Sequence, residues 1–177
     1  MRIGYDGAIK LAINDFHKHA NPRSGLVYLG DLLAKLKLTN PQRALGAEYT
    51  LQGYMEWYVR EQPIVAACKA RVELELGHDV ILGGEVSRVD VLVAQDRYRG
   101  ILLGEFDPSN WRAQLRMPLL QRAIAVKFER GEEDVVVGVQ NLDGSGLDTH
   151  SYSQRSLENA ETEAKTLART ISGLLSD

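Results

Sequence analysis

The stretch Gly84-Glu85-Val86-Ser87-Arg88-Val89-Asp90-Val91-Leu92-Val93 and its neighbour Gly100-Ile101-Leu102-Leu103-Gly104-Glu105-Phe106 decide how this chain folds. Both runs are short, aliphatic and bounded by glycine or polar residues, which predicts strands over 88–94 and 100–106 with a polar turn over 95–99 between them. Apolar side chains fall on both faces: Val89, Val91 and Val93 against Leu92, then Leu102 and Phe106 against Ile101 and Leu103. Such strands belong at the centre of a sheet covered on both sides. Each run also carries one carboxylate, Asp90 and Glu105, and a charge there is costly unless a metal or a partner compensates it.

Working outward, residues 68–76 alternate Cys68, Ala70, Val72, Leu74 and Leu76 with Lys69, Arg71, Glu73 and Glu75, the pattern of a half-buried strand. Three helical patterns precede it. Ile9, Ala12, Ile13 and Phe16 share a face that ends at Asn21-Pro22; Leu29, Leu32, Leu33 and Leu36 follow until Asn40-Pro41; a longer pattern then runs to Gln62-Pro63. Downstream, Pro118 is placed to open a helix through Leu119, Leu120, Ala123, Ile124 and Lys127. A β-branched strand over 134–139, a turn over 141–146, a weak strand and a last helix with Ser156 as its expected N-cap complete the chain. The reading is an α/β domain with a helical addition over 1–43 and a core with a C-terminal helix over 44–177.

Composition narrows the function classes. A net charge of -3 over 177 residues, with pI near 5.8, argues against nucleic-acid binding by bulk electrostatics and leaves only a local basic face for it. Cys68 is the single cysteine, so no internal disulfide forms, which suits a reducing cytoplasm. No run of about 20 apolar residues is present, and an intracellular protein without a membrane span is expected. His17 and His19 fall on different helical faces, and with His78 and His150 are read as surface groups. Trp57, Trp111 and Tyr98 are the aromatics that could stack on bases, although core packing is the commoner use of a helical tryptophan. Neither a Gly-x-Ser-x-Gly elbow nor a Gly-x-x-x-x-Gly-Lys loop occurs.

The order helix, three strands, helix, strand, with Asp90 in the second strand and Glu105-Phe106-Asp107 at the end of the third, resembles the αβββαβ core of the PD-(D/E)XK nuclease superfamily over about residues 44 to 140. The resemblance implies a restriction endonuclease-like mixed sheet flanked by helices. It implies Asp90 and Glu105 as ligands of Mg2+ or Mn2+, brought together by adjacent strands, because hard cations take carboxylate oxygens and hold them against a scissile phosphate. Gly46-Ala47-Glu48-Tyr49 resembles the family's helix motif with acid and aromatic exchanged, making Glu48, or Glu56 further on, the helix acid; either is otherwise a solvent-facing residue.

The family's lysine stands two residues after the acid, where this chain has Asp107. Lys127 would supply the cation from the following helix, Arg112, Arg116 and Arg122 lie near it in sequence, and Gln121 resembles a glutamine of that helix in some branches. Asp107 is read either as a third metal ligand or as a cap through Ser109 and Asn110. The expectation is a metal-dependent nuclease acting on DNA more than RNA; the resemblance allows a homodimer, since many such nucleases pair, but the sequence itself carries no dimer signature. The alternative is a domain without catalysis that binds nucleic acid or assembles with protein. A third reading leaves Asp90 and Glu105 as sheet-end carboxylates of an unrelated α/β protein, engaged by Arg88 or a backbone amide.

Overall fold

The computed structural model describes residues 3–19, 21–77, 80–104, 106–107 and 109–174. Three helices come first: α1 (Tyr5–His19), α2 (Pro22–Lys35) and α3 (Pro41–Glu61). The Asn-Pro pairs that end one helical pattern also start the next. Asn21 caps α2 by accepting from the Arg23 N–H at 3.0 Å, Asn40 caps α3 by accepting from the Arg43 N–H at 3.0 Å, and each following proline takes the first helical position, where no N–H is needed. α3 stops at Gln62, whose φ of 46° is left-handed, directly before Pro63.

The sheet has five strands in the order β1 (Ile64–Gly77), β2 (Val80–Leu92), β3 (Arg97–Leu103), β4 (Val135–Gln140) and β5 (Asp148–His150). β1, β2 and β3 form an antiparallel meander; β4 runs parallel to β3 after the crossover helix α4 (Arg116–Lys127), and β5 returns antiparallel before α5 (Gln154–Leu174). The α/β class and the mixed sheet follow the expected order. The strand bounds do not: β2 begins at Val80, and β3 begins at Arg97, inside the stretch expected to be a turn, and ends at Leu103. α5 is capped by Ser153, whose Oγ accepts from the Ser156 N–H at 3.3 Å, so Ser156 lies inside the helix.

Two apolar layers sandwich the sheet. On one face Ala70, Val72, Leu74, Val86, Val89 and Val137 pack against Met117 and Ile124 of α4 and Ala160 and Ala164 of α5. Gly100 of β3 allows the closest approach, since a Cβ there would overlap Ile124 Cδ1. On the other face Ile101, Leu103 and Leu142 pack against Ile9, Ile13, Phe16, Leu29, Leu51 and Tyr54, so the N-terminal helices share one core with β3.

Candidate functional site

Arg88 and Asp90 are two residues apart on β2 and project to the face that α3 covers; both are fully buried. The pairing of β2 with β3 sets Asp90 opposite Arg99, and Arg88 opposite Ile101. Asp90 is then held from two sides. Arg88 donates through Nε to Oδ1 at 2.7 Å and through Nη2 to Oδ2 at 3.1 Å; Arg99 donates through Nε and Nη2 to Oδ2 at 3.1 and 2.8 Å. Two guanidiniums on one carboxylate satisfy its acceptors and leave the cluster with one excess positive charge.

The network continues into the helical layer. Arg88 Nη1 donates to Tyr54 Oη at 2.6 Å, Nη2 donates to Gln140 Oε1 at 3.0 Å, and the guanidinium lies 4.5 Å from the Trp57 ring centroid. Gln140 in turn donates from Nε2 to the Gly144 carbonyl at 2.7 Å. Because arginine only donates, the Tyr54 proton goes to His17 Nε2 at 2.8 Å, which assigns the imidazole the neutral tautomer protonated at Nδ1. Burial, aided by the facing Arg88 charge, lowers His17 to about 4, and burial raises the Tyr54 phenol. His17 is thus a half-buried member of an interior network, against its reading as a surface group. Beside the cluster a cavity of about 340 Å³ opens between Trp57, Gln62, Leu147 and the Asp90–Arg99 pair.

Of the other residues chosen from sequence, those that are described stand apart. Glu105 lies outside the described residues, as does His78. Glu48 and Glu56 are exposed on α3, and Lys127 is exposed at the end of α4. Asp107 is exposed and caps its own turn: Oδ1 accepts from the Ser109 N–H at 2.9 Å and from Ser109 Oγ at 2.6 Å, bonds that lower its carboxyl below the usual range.

Gln121 is fully buried and spent on the backbone, donating to the Glu132 and Tyr152 carbonyls at 2.8 and 3.3 Å and accepting from the Tyr152 N–H at 2.8 Å. Among the arginines, Arg122 bridges Glu132 and Glu161, Arg112 meets Asp148 at 2.6 Å, and Arg116 donates from Nε to Gln114 Oε1 at 2.8 Å. Trp111 is fully buried with its Nε1 donating to Asp148 Oδ2 at 2.9 Å, and Trp57 is buried under Arg88, so neither presents a face to a base.

Among the described residues no group of three or more His, Cys, Asp or Glu side chains is placed to hold a metal ion. Asp90 does not fit one, since its oxygens already take both arginines. A cation does stand at the end of β3: Lys10 Nζ lies 3.4 Å from where a Cβ on Gly104 would be, and Lys10 forms no ion pair among the described residues. Sequence reasoning missed Arg99, Tyr54, Gln140 and His17. The signal available for them was the two-residue spacing of Arg88 and Asp90 inside an apolar strand, which requires countercharges and acceptors from elsewhere. No described helix is long and apolar enough to cross a membrane. No family model matches the chain, and no curated protein shows significant similarity to it.

Proposed function

We propose that this chain is a nuclease-like α/β domain of the PD-(D/E)XK type that serves as a protein-assembly module and does not cut phosphodiesters through Asp90. The observation that carries the reading is the Asp90 carboxylate, fully buried and bound by Arg88 and Arg99. A carboxylate in that state works as a strut between β2 and β3, both oxygens engaged by guanidinium and neither open to solvent. The αβββαβ order and the parallel β3–β4 pair support the nuclease-like assignment. Burial pushes the Cys68 thiol up to about 11, which keeps it unreactive, and a single cysteine suits a protein of the reducing cytoplasm.

A second reading is favoured by Lys10. A Mg2+- or Mn2+-dependent nuclease centred on Glu105 would lack the lysine that Asp107 replaces, and Lys10 beside Gly104 is a cation in reach of that end of β3. One experiment separates the two. Purified protein is incubated with labelled DNA and RNA in Mg2+ or Mn2+, with chelator, Glu105→Ala and Lys10→Ala as controls, and binding is followed by fluorescence anisotropy. The expected result is intact substrate throughout. Cleavage lost with chelator and with Glu105→Ala establishes the nuclease instead, and binding without cleavage moves the function to nucleic-acid capture.

A further inference from the structure

Strand β1 forms one edge of the sheet and, at 14 residues, is the longest of the described strands. Its inner edge pairs with β2; among the described residues no turn, cap or loop hydrogen bond reaches its outer edge. Ala70, Val72, Leu74 and Leu76 are buried under the helices, and Lys69, Arg71, Glu73 and Glu75 alternate with them, all exposed. An open edge of this length is a template for strand addition, and edge charges ordinarily prevent it.

Here the order of the charges selects a partner. Two cations followed by two anions at two-residue spacing repel a parallel copy in register. An antiparallel copy turned about Val72 sets Arg71 opposite Glu73 twice, with Ala70 opposite Leu74 on the other face, and leaves Lys69, where a left-handed φ of 50° interrupts the strand, at the end of the pairing toward Glu75. Among the described residues none of the four is in an ion pair; on β2, Glu73 and Glu75 face Gly83 and Ile81, and Arg71 stands opposite Glu85 without an ion pair between them. α5, which packs over β1, adds apolar surface by leaving Leu167 and Ile171 exposed.

We propose that the chain forms a two-fold symmetric dimer by antiparallel pairing of β1 with β1 of a second copy, joining two five-stranded sheets into one. The proposal rests on the assembly reading and names its partner. The two fail separately, because cutting is scored on oligonucleotides and pairing on mass in solution.

Sedimentation over a dilution series tests it with three chains: wild type, an acidic variant Lys69→Glu/Arg71→Glu, and a basic variant Glu73→Lys/Glu75→Lys. Wild type is expected to pass between monomer and dimer, each variant alone to associate roughly tenfold more weakly or worse, and their mixture to recover the wild-type affinity as a heterodimer. A wild type that stays monomeric overturns the proposal, as does an acidic variant that pairs like wild type or a mixture that stays apart. Circular dichroism checks that both variants fold. If either does not, hydrogen exchange on wild type decides: protection gained on raising concentration must fall on residues 67–77, and a gain confined to another segment overturns the interface.

Discussion

At the scale of single residues the decisive group is Asp90. Replacing it with alanine leaves the buried Arg88 guanidinium without its countercharge, and such a broken pair costs about 3–5 kcal/mol. Urea denaturation of Asp90→Ala is expected to show a loss of that size, whereas Arg88→Met/Asp90→Leu, which removes both charges, should lose less than the single change. A double variant that loses the sum of the separate Asp90→Leu and Arg88→Met losses would show that the pair is not coupled. His17 supplies the pH dependence. Its folded value of about 4 lies below the ordinary 6.5, so the unfolded chain binds the proton more readily, and stability contributed by the neutral ring is lost as pH falls from 6.5 toward 4. The span is on the order of 3 kcal/mol. His17→Asn should flatten that part of the stability curve; an unchanged slope would place the titrating group elsewhere. Asp90 was legible as an anomaly in an apolar strand, and Arg88 beside it as a candidate partner. Tyr54 and His17 were not, because a single polar group on a helix face carries no sign of whether its proton points to water or to a buried guanidinium.

The scale of elements is where the sequence reading slipped. Arg97, Tyr98 and Arg99 look like a turn because they are polar, yet they form the first half of β3, and their polarity is explained by what they reach: Arg99 binds Asp90, and Arg97 Nη2 donates to the Glu133 carbonyl at 2.6 Å. Gly83-Gly84 hid the first part of β2 in the same way, although both glycines pair with β1 at Glu73 and Val72. β3 therefore spans Arg97–Leu103, three residues earlier than expected, and its register sets Arg99 opposite Asp90. Helix α4 is tied down by side-chain chemistry that its periodicity does not show. Gln121→Met keeps the volume but strands the Tyr152 N–H, and about 1–3 kcal/mol should be lost in thermal or urea unfolding. Gly100→Ala forces a methyl into Ile124, with a similar cost of about 1–3 kcal/mol from overpacking. A neutral Gly100→Ala would show that α4 stands further from the sheet than described.

Over the whole molecule, class and element order were readable because periodicity of two or near four reports directly on which face is buried. The join between layers was not readable, since it depends on pairings between residues far apart in sequence: Tyr54 with Arg88, Arg88 with Gln140, Gln121 with Tyr152. The two-layer arrangement bears on synthesis. α1, α2 and α3 are complete at Glu61, but the residues that cover their apolar stripe are Ile101 and Leu103 of β3 and Leu142 in the turn after β4. A chain leaving the ribosome therefore carries a finished helical trio with a bare face, and Tyr54 waiting for Arg88, while the sheet is still being made. Pulse-labelling of ribosome-bound chains should show protease resistance in the first three helices only after β4 and the residues following it have emerged.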